Sequence, residues 1–311
     1  MHPGRDNAGK EFPDMVRNGS IGVVILNYNK KNDLLRCLKA VCASDYPQVS
    51  VVVVDNNSND GSGDVVQDAY PDIPLMRNLE NVGVPMGRNV GWRYAKEHFD
   101  CEYICFLDND SEVAPDYFSH IVRVFREHRQ VGIVTGKAYM DHKRDKFCSV
   151  GISVNFYTSL VFDLGRAKKD KGQYNTPSYR DACGGFAMAI RREVLESLHA
   201  FDERYSPYGW EDVDICLRAR VLGYHTFYTP DAVVIHKGTK VGREPVPEYE
   251  RNKIRNYLLL LKRHTNFIQK VCCCIGVPLK SLYIIIEMLI IMHPKIIAAQ
   301  CRGFIEGLRG R

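Results

Sequence analysis

Two aspartates one residue apart, Asp108 and Asp110 in the run FLDND, directly follow an apolar stretch. Carboxylates leaving a buried strand at neighbouring loop positions suit a hard divalent cation, because Mg2+ and Mn2+ take oxygen ligands and share them with substrate phosphates. The same residue types also build turns and cap helices, so the pair alone is evenly balanced between the two roles. His236 closes a second apolar run, AVVIH. Imidazole binds Mn2+ and Zn2+, although a lone histidine is more often structural. Glu211 and Asp212 follow Trp210 at the start of an amphipathic segment. The helix dipole stabilises acids there, yet one of them could take the proton from an attacking hydroxyl as a general base. Asp214 and Arg218, four apart, read as a surface ion pair.

Two further segments could hold an organic anion. The run from Asn81 to Gly91 is a glycine-bearing loop entering a helix, with Arg88 in its first turn, so backbone N–H groups and a guanidinium could meet a phosphate. Asp55 through Ser62 is rich in acceptors that could face a base and ribose, or simply form a solvated turn. Neither a G-x-G-x-x-G after the first strand nor a G-x-x-x-x-G-K-[ST] is present, which counts against a dinucleotide or P-loop site.

These residues need a scaffold, and the apolar pattern supplies one. Strands are predicted over 21–27, 49–55, 73–77 and 103–108, with helices over 33–43, 63–69 and 86–98 between them. Continuous apolar strands separated by helices imply an α/β fold whose mostly parallel sheet is covered on both faces. Ligands of such sheets bind beyond the carboxyl ends of the strands, and Asn27-Tyr28-Asn29, the Asp55 loop and Asp108-Asn109-Asp110 all lie there. Further along, a helix over 115–128 and a strand over 131–135 precede a weakly periodic stretch, 140–180, with a hairpin around 149–162. The pattern resumes with an apolar run over 182–190, a short helix from 191, a helix over 211–222, and strands over 224–229 and 232–236.

Of 311 residues, 45% are hydrophobic and 25% charged, which makes a disordered, collagen-like or polytopic membrane chain unlikely. The eleven cysteines form no disulfide framework, so a reducing cytosol fits best. Residues 1–20 have no apolar period and read as a flexible leader. Net charge is +5, but residues 251–311 carry +9 and the rest −4. In that basic tail Ile254, Tyr257, Leu258 and Leu261 alternate at helical spacing with Arg251, Lys253, Arg255, Lys262 and Arg263. Beyond lies VCCCIGVPLKSLYIIIEMLIIMHPKII, which Lys280 and Glu287 divide into runs shorter than the ~18 residues of a membrane span. An in-plane anchor on an anionic membrane surface is expected, with a helical pair packed on the sheet or on a second subunit as the alternative. Cys272, Cys273 and Cys274 read as buried thiols or acylation sites. Aromatic residues are too few in the tail for a nucleic-acid platform, and none is expected as partner.

Taken in order, ILNYN, VVVDNNSNDGS, NVGVPMGRNVG, FLDND, ACGGFAMAIRR, GWEDVDICLRARVLGY and VVIHKG resemble the family 2 glycosyltransferases of GT-A fold, over residues 20–240. The resemblance implies a catalytic domain over 21–240, followed by the helical region 241–311. It implies inverting transfer of a sugar from a nucleotide diphosphate, a UDP- or dTDP-sugar, to a lipid-linked or polysaccharide acceptor at the cytoplasmic membrane face. By the same resemblance, Asp108, Asp110 and His236 would hold Mn2+ or Mg2+. Asp212 would be the base, with Glu211 beside it. Asn27, Tyr28, Asp55, Asn57, Arg88, Asp108, Asn109 and Trp210 would line the donor site, with Gly184 and Gly185 towards the sugar or acceptor. The D-N-N-S run and the W-E-D helix are similar to rhamnosyl- and galactofuranosyltransferase-like members. Pro85-Met86 departs from the small residues usual in that glycine loop. A non-catalytic sugar-nucleotide scaffold and a nucleotidyltransferase are the alternatives; the retained acids argue against the first and the missing glycine-rich phosphate loop against the second.

Overall fold

The computed structural model describes residues 19–238, 246–274, 276 and 294–309. Of the leader read over 1–20, residues 1–18 lie outside the described residues, as does the apolar run over 277–293; Gly19 and Ser20 are tied to the fold, the Gly19 N–H donating to Glu102 and the Ser20 hydroxyl to the Asp100 carbonyl. Strand β1 (Ile21–Asn27) is buried along its whole length and pairs in parallel with β2 (Val49–Asp55) and β4 (Tyr103–Asp108). A short β3 (Leu75–Arg77) extends the parallel set at the edge of β2. Helices α1 (Lys31–Cys42), α2 (Ser62–Ala69) and α3 (Val84–His98) make the crossovers.

The other half of the sheet is mixed. β11 (Ala187–Arg191) runs antiparallel between β4 and β6 (Val131–Met140), and β12 (His225–His236) lies parallel to β6. β10 (Ser178–Arg180) closes that edge, giving the order β10-β12-β6-β11-β4-β1-β2-β3. β5 (Ser111–Val113) pairs with the end of β12, and β7 (Lys143–Ser149) with β6. The predicted hairpin is β8 (Ile152–Asn155) with β9 (Leu160–Asp163), a separate two-stranded sheet.

Alternation along the strands sorts the core into two layers, because successive side chains of a strand point to opposite faces. Val24, Leu26, Val52, Val54, Ile104 and Phe106 face α3 and α6 (Glu211–Val221). Ile21, Val23, Ile25, Val53, Tyr103 and Cys105 face α1 and α4 (Tyr117–Glu127). The glycines of α3 are what let it approach: a Cβ on Gly91 would come 2.2 Å from Val24, and one on Gly87 2.5 Å from Leu26.

Two expectations change. The separate strands over 224–229 and 232–236 are one strand, β12, whose register shifts between Tyr228 and Val233. Pro230, lacking an N–H, sits in that irregularity and broke the pattern in sequence. The tail helix α7 (Pro247–His264) does not offer its apolar stripe to a membrane: Tyr257, Leu258, Leu260 and Leu261 are buried in the same core layer as α3 and α6. Among the described residues no helix is long and apolar enough to cross a membrane.

Candidate active site

The carboxyl ends of β1, β2 and β4 are stitched together by side-chain amides. Asn27 is fully buried; its Nδ2 donates to Asp55 Oδ1 at 3.2 Å and Ser58 Oγ at 3.0 Å, and its Oδ1 accepts from Asn109 Nδ2 at 2.7 Å. Asn109 Nδ2 also reaches the carbonyl of Asn29 at 3.0 Å. Asn27, Asp55 and Asn109 therefore set the spacing of the rim from within. Tyr28 and Asn57 point outward; both are exposed, and Asn57 takes the left-handed conformation at φ 64°.

His236 reaches this rim because β5 pairs antiparallel with β12, placing it opposite Ser111. Its Nε2 lies 3.2 Å from Asp110 Oδ1, its ring stacks on Phe186 at 4.3 Å, and its Nδ1 is 3.4 Å from Cys148 Sγ. Asp110 also receives Lys30 Nζ at 2.7 Å. Burial would push the Asp110 carboxyl up, but the hydrogen bond from His236 and the Lys30 charge outweigh it and hold it well below the usual range. For His236 burial works the other way, and the bonds to Asp110 and Cys148 lift it to about 10. Ligand atoms of Asp108, Asp110 and His236 lie within 4.8 Å of one another. Two carboxylates and an imidazole converging so closely, with a lysine ammonium drawn onto one of them, fit a hard or borderline divalent ion.

A buried arginine links this corner to the second pair of acids. Arg88 donates through Nη2 to Asp108 Oδ1 and the carbonyl of Gly185, each at 2.9 Å, and through Nη1 to Glu211 Oε1 at 3.0 Å. Its Nε is buried with no hydrogen-bond partner in the structure. Glu211 Oε2 accepts from the Gly209 N–H at 2.7 Å. Asp212 is half-buried, with Oδ2 accepting from the Gly185 N–H at 3.0 Å and Oδ1 from the Val213 N–H at 2.8 Å. Desolvation and the adjacent Glu211 raise the Asp212 carboxyl to about 7, against the pull of Arg88. Gly185 is pinched between the two groups: a Cβ there would lie 2.4 Å from Arg88 Nη1. Gly184 faces Phe186, whose ring a Cβ would meet at 2.7 Å.

Two sequence readings are corrected here. Three N–H groups of the glycine loop are turned to the protein, not to an anion: Val82 donates to Asn56 Oδ1, Gly83 to Asn81 Oδ1 and Val84 to the Pro207 carbonyl. The loop is a packing joint, held at φ 85° by Gly83, where a Cβ would strike the Pro207 backbone at 2.6 Å. Asp214 and Arg218 are not a surface pair either. Asp214 is fully buried and accepts from Tyr205 Oη at 3.2 Å and Arg218 Nε at 2.7 Å, while His264 Nε2 lies at 2.8 Å. Trp210, at φ 73°, donates from Nε1 to the Lys253 carbonyl at 2.8 Å, so the residue before the acids is anchored on α7.

Sequence reasoning missed Lys30, Cys148 and Tyr249. Lys30 has a left-handed backbone at the start of α1, which nothing in N-Y-N-K announces. Cys148 lies in the weakly periodic stretch. Tyr249 stacks on Tyr208 at 5.4 Å, in the segment that leads to Trp210 and Glu211.

A family model described as glycosyltransferase-like family 2 matches residues 18–258. Glycosyltransferase GlyA of Streptococcus pneumoniae is 26% identical over 152 residues, 48% of this chain, and the chain spans only 21% of that relative's length. The N-acetylglucosaminyl-diphospho-decaprenol L-rhamnosyltransferase of Mycobacterium tuberculosis is 24% identical over 271 residues, covering 79% of this chain and 85% of the relative. Among solved structures, the mannosyltransferase PcManGT from Pyrobaculum calidifontis, in complex with GDP-Man and Mn2+, superposes with a TM-score of 0.58 at 17% identity. It covers 93% of this chain and 86% of its own. That likeness establishes the fold, an α/β sheet flanked by helices as in GT-A glycosyltransferases.

Proposed function

The chain belongs to the glycosyltransferase-like family 2, and we propose that it is a metal-dependent inverting transferase using a UDP- or dTDP-sugar and a lipid-linked or polysaccharide acceptor. One observation carries the reading. Asp108, Asp110 and His236 converge on one side of Arg88, and Glu211 with Asp212 on the other. Asp108, Asp110 and His236 would hold Mn2+ or Mg2+. A divalent ion held there would supply Lewis-acid stabilisation of the charge that grows on the diphosphate as the glycosidic bond breaks.

The chain's own groups do the rest. Tyr28 and Asn57 offer contacts to the nucleoside at the exposed rim, beside the buried Asp55. Asp212 accepts the proton of the acceptor hydroxyl as it attacks the face of the sugar opposite the leaving group. A carboxyl raised to about 7 is still charged in a useful fraction at neutral pH, and binds the proton more firmly than an ordinary aspartate would. The Gly185 N–H fixes one Asp212 oxygen, so the base cannot swing away. Tyr249 and Tyr208 form a stacked wall near these acids for a sugar acceptor. The mycobacterial relative is an N-acetylglucosaminyl-diphospho-decaprenol L-rhamnosyltransferase, which supports a lipid-linked acceptor.

The test is a panel of nucleotide sugars scored by thermal shift with Mn2+, followed by assay of nucleoside diphosphate release. A donor-specific, Mn2+-dependent shift with release of nucleoside diphosphate supports the reading. Release of pyrophosphate instead would make it a nucleotidyltransferase.

A further inference from the structure

Between α7, the helix Pro294–Arg309 and the turn at Glu203–Tyr205 lies a cavity of about 590 Å3 that the transfer chemistry does not use. Its walls are Arg204, Arg255, Lys262 and Arg263, with Leu259 and Gly307. The cations there outweigh the acids that answer them. Arg204 and Arg263 share one carboxylate, Asp202, and Arg263 also lies 3.3 Å from Asp214, which is already paired with Arg218. Arg255 and Lys262 are held by neutral oxygens. Arg255 donates to the Ser206 carbonyl and to Asn256 Oδ1, and Lys262 Nζ to the Gly307 and Leu308 carbonyls at 2.7 Å each. Glu306 is nearby but is bonded to Arg251 at 2.8 Å.

The surroundings are apolar. Leu259 and the aliphatic stems of the arginines and Lys262 make walls that a bare inorganic ion would not need. Phe267, 80% exposed, and Ile268, 63% exposed, follow Arg263 within five residues, and Leu308, 56% exposed, follows Gly307. Through Ser206 the cavity backs onto the segment that leads to Trp210, Glu211 and Asp212.

We propose that this cavity seats the phosphate group of an anionic lipid. Guanidinium forks and an ammonium suit phosphate oxygens, and a cationic seat whose walls include Leu259 and aliphatic stems suits a phosphate that carries a hydrocarbon chain. The inference deepens the lipid-linked acceptor reading and rests on it, because it would hold the lipid end of the acceptor close to the loop that carries the base.

Co-sedimentation of the full chain with vesicles tests it, comparing phosphatidylcholine alone with phosphatidylcholine containing phosphatidic acid. The chain is expected to sediment only with the second, and inorganic pyrophosphate to release it. Lys262→Gln and Arg255→Gln should each weaken binding about five-fold, whereas Lys270→Gln, an exposed cation outside the cavity, should change it by less than about two-fold. Lys262 is exposed, so its variant decides the matter even if Arg255→Gln does not fold. Equal losses at Lys262 and Lys270 would overturn the seat in favour of diffuse charge attraction. Pyrophosphate binding without vesicle binding would make it a free-anion site, and no binding of either would remove it altogether. Thermal shift by nucleoside diphosphate with Mn2+, read in the same variants, should match that of the unaltered chain. Absence of that shift in the unaltered chain would count against the transferase reading and leave the vesicle result standing.

Discussion

Asp212 carries the sharpest residue-scale expectation. Asp212→Asn should bind donor normally and lose transfer by about 10^2- to 10^4-fold, the range a positioned base contributes. In the unaltered chain transfer should fall as pH drops below about 7, because the raised carboxyl is then protonated. The sign for stability is opposite. The folded chain holds this proton above the pH at which an unfolded aspartate has lost it, so folding stability declines as pH rises from about 4 to about 7. Measured by denaturant unfolding, the stability of Asp212→Asn relative to the unaltered chain should therefore improve across that window, and a flat difference would remove Asp212 as a raised carboxyl. Asp110→Ala should weaken Mn2+-dependent nucleotide binding by calorimetry; equal affinity with and without Mn2+ in both proteins would refute the metal role. At this scale Asp108, Asp110 and His236, which converge in the structure, stand out in the sequence because each lies at the end of an apolar run. The sequence could not show that Asn27 and Asn109 spend their amides on each other, nor that Lys30 folds back onto Asp110, because those contacts depend on how strands 80 residues apart are spaced.

At the scale of elements, the close seat of α3 on β1 is the feature most sensitive to volume. Gly91→Ala would drive a methyl to 2.2 Å from Val24 and should cost about 1–3 kcal/mol in a urea melt, as overpacking of a tight core does. A neutral result would mean that α3 can lift from the sheet. The first half of the sheet was legible because β1, β2 and β4 are apolar runs bounded by helices with clear periods. β5 was not: Ser-Glu-Val has no apolar signature, and its existence depends on β12 arriving beside it. That short pairing is nevertheless what delivers His236 to Asp110. The apolar stripe of α7 was visible too, but a stripe fits a bilayer and a protein core equally well, and only the packing partners on α6 and β1's layer decide between them.

For the molecule as a whole, Asp214 is the tie between α7 and α6, the helix that also bears Asp212. It meets Tyr205, Arg218, Arg263 and His264, from three different segments. Burial would raise its carboxyl, but the His264 bond and the arginine charges prevail and lower it. Its contribution is thus fully present above about pH 4 and lost in stronger acid as the carboxylate is protonated. Asp214→Asn should cost about 3–5 kcal/mol near neutrality, the toll of stranding buried partners, and the deficit should close in acid unfolding curves. A deficit independent of pH would mean that shape, not charge, holds the joint. Arg88 has a different consequence. Since one guanidinium ties Asp108 to Glu211, losing either acid leaves the same buried cation short of a partner, and the two cannot be exchanged independently. The outward-facing Tyr28 and Asn57 carry no such tie, and their variation leaves the shared cation undisturbed.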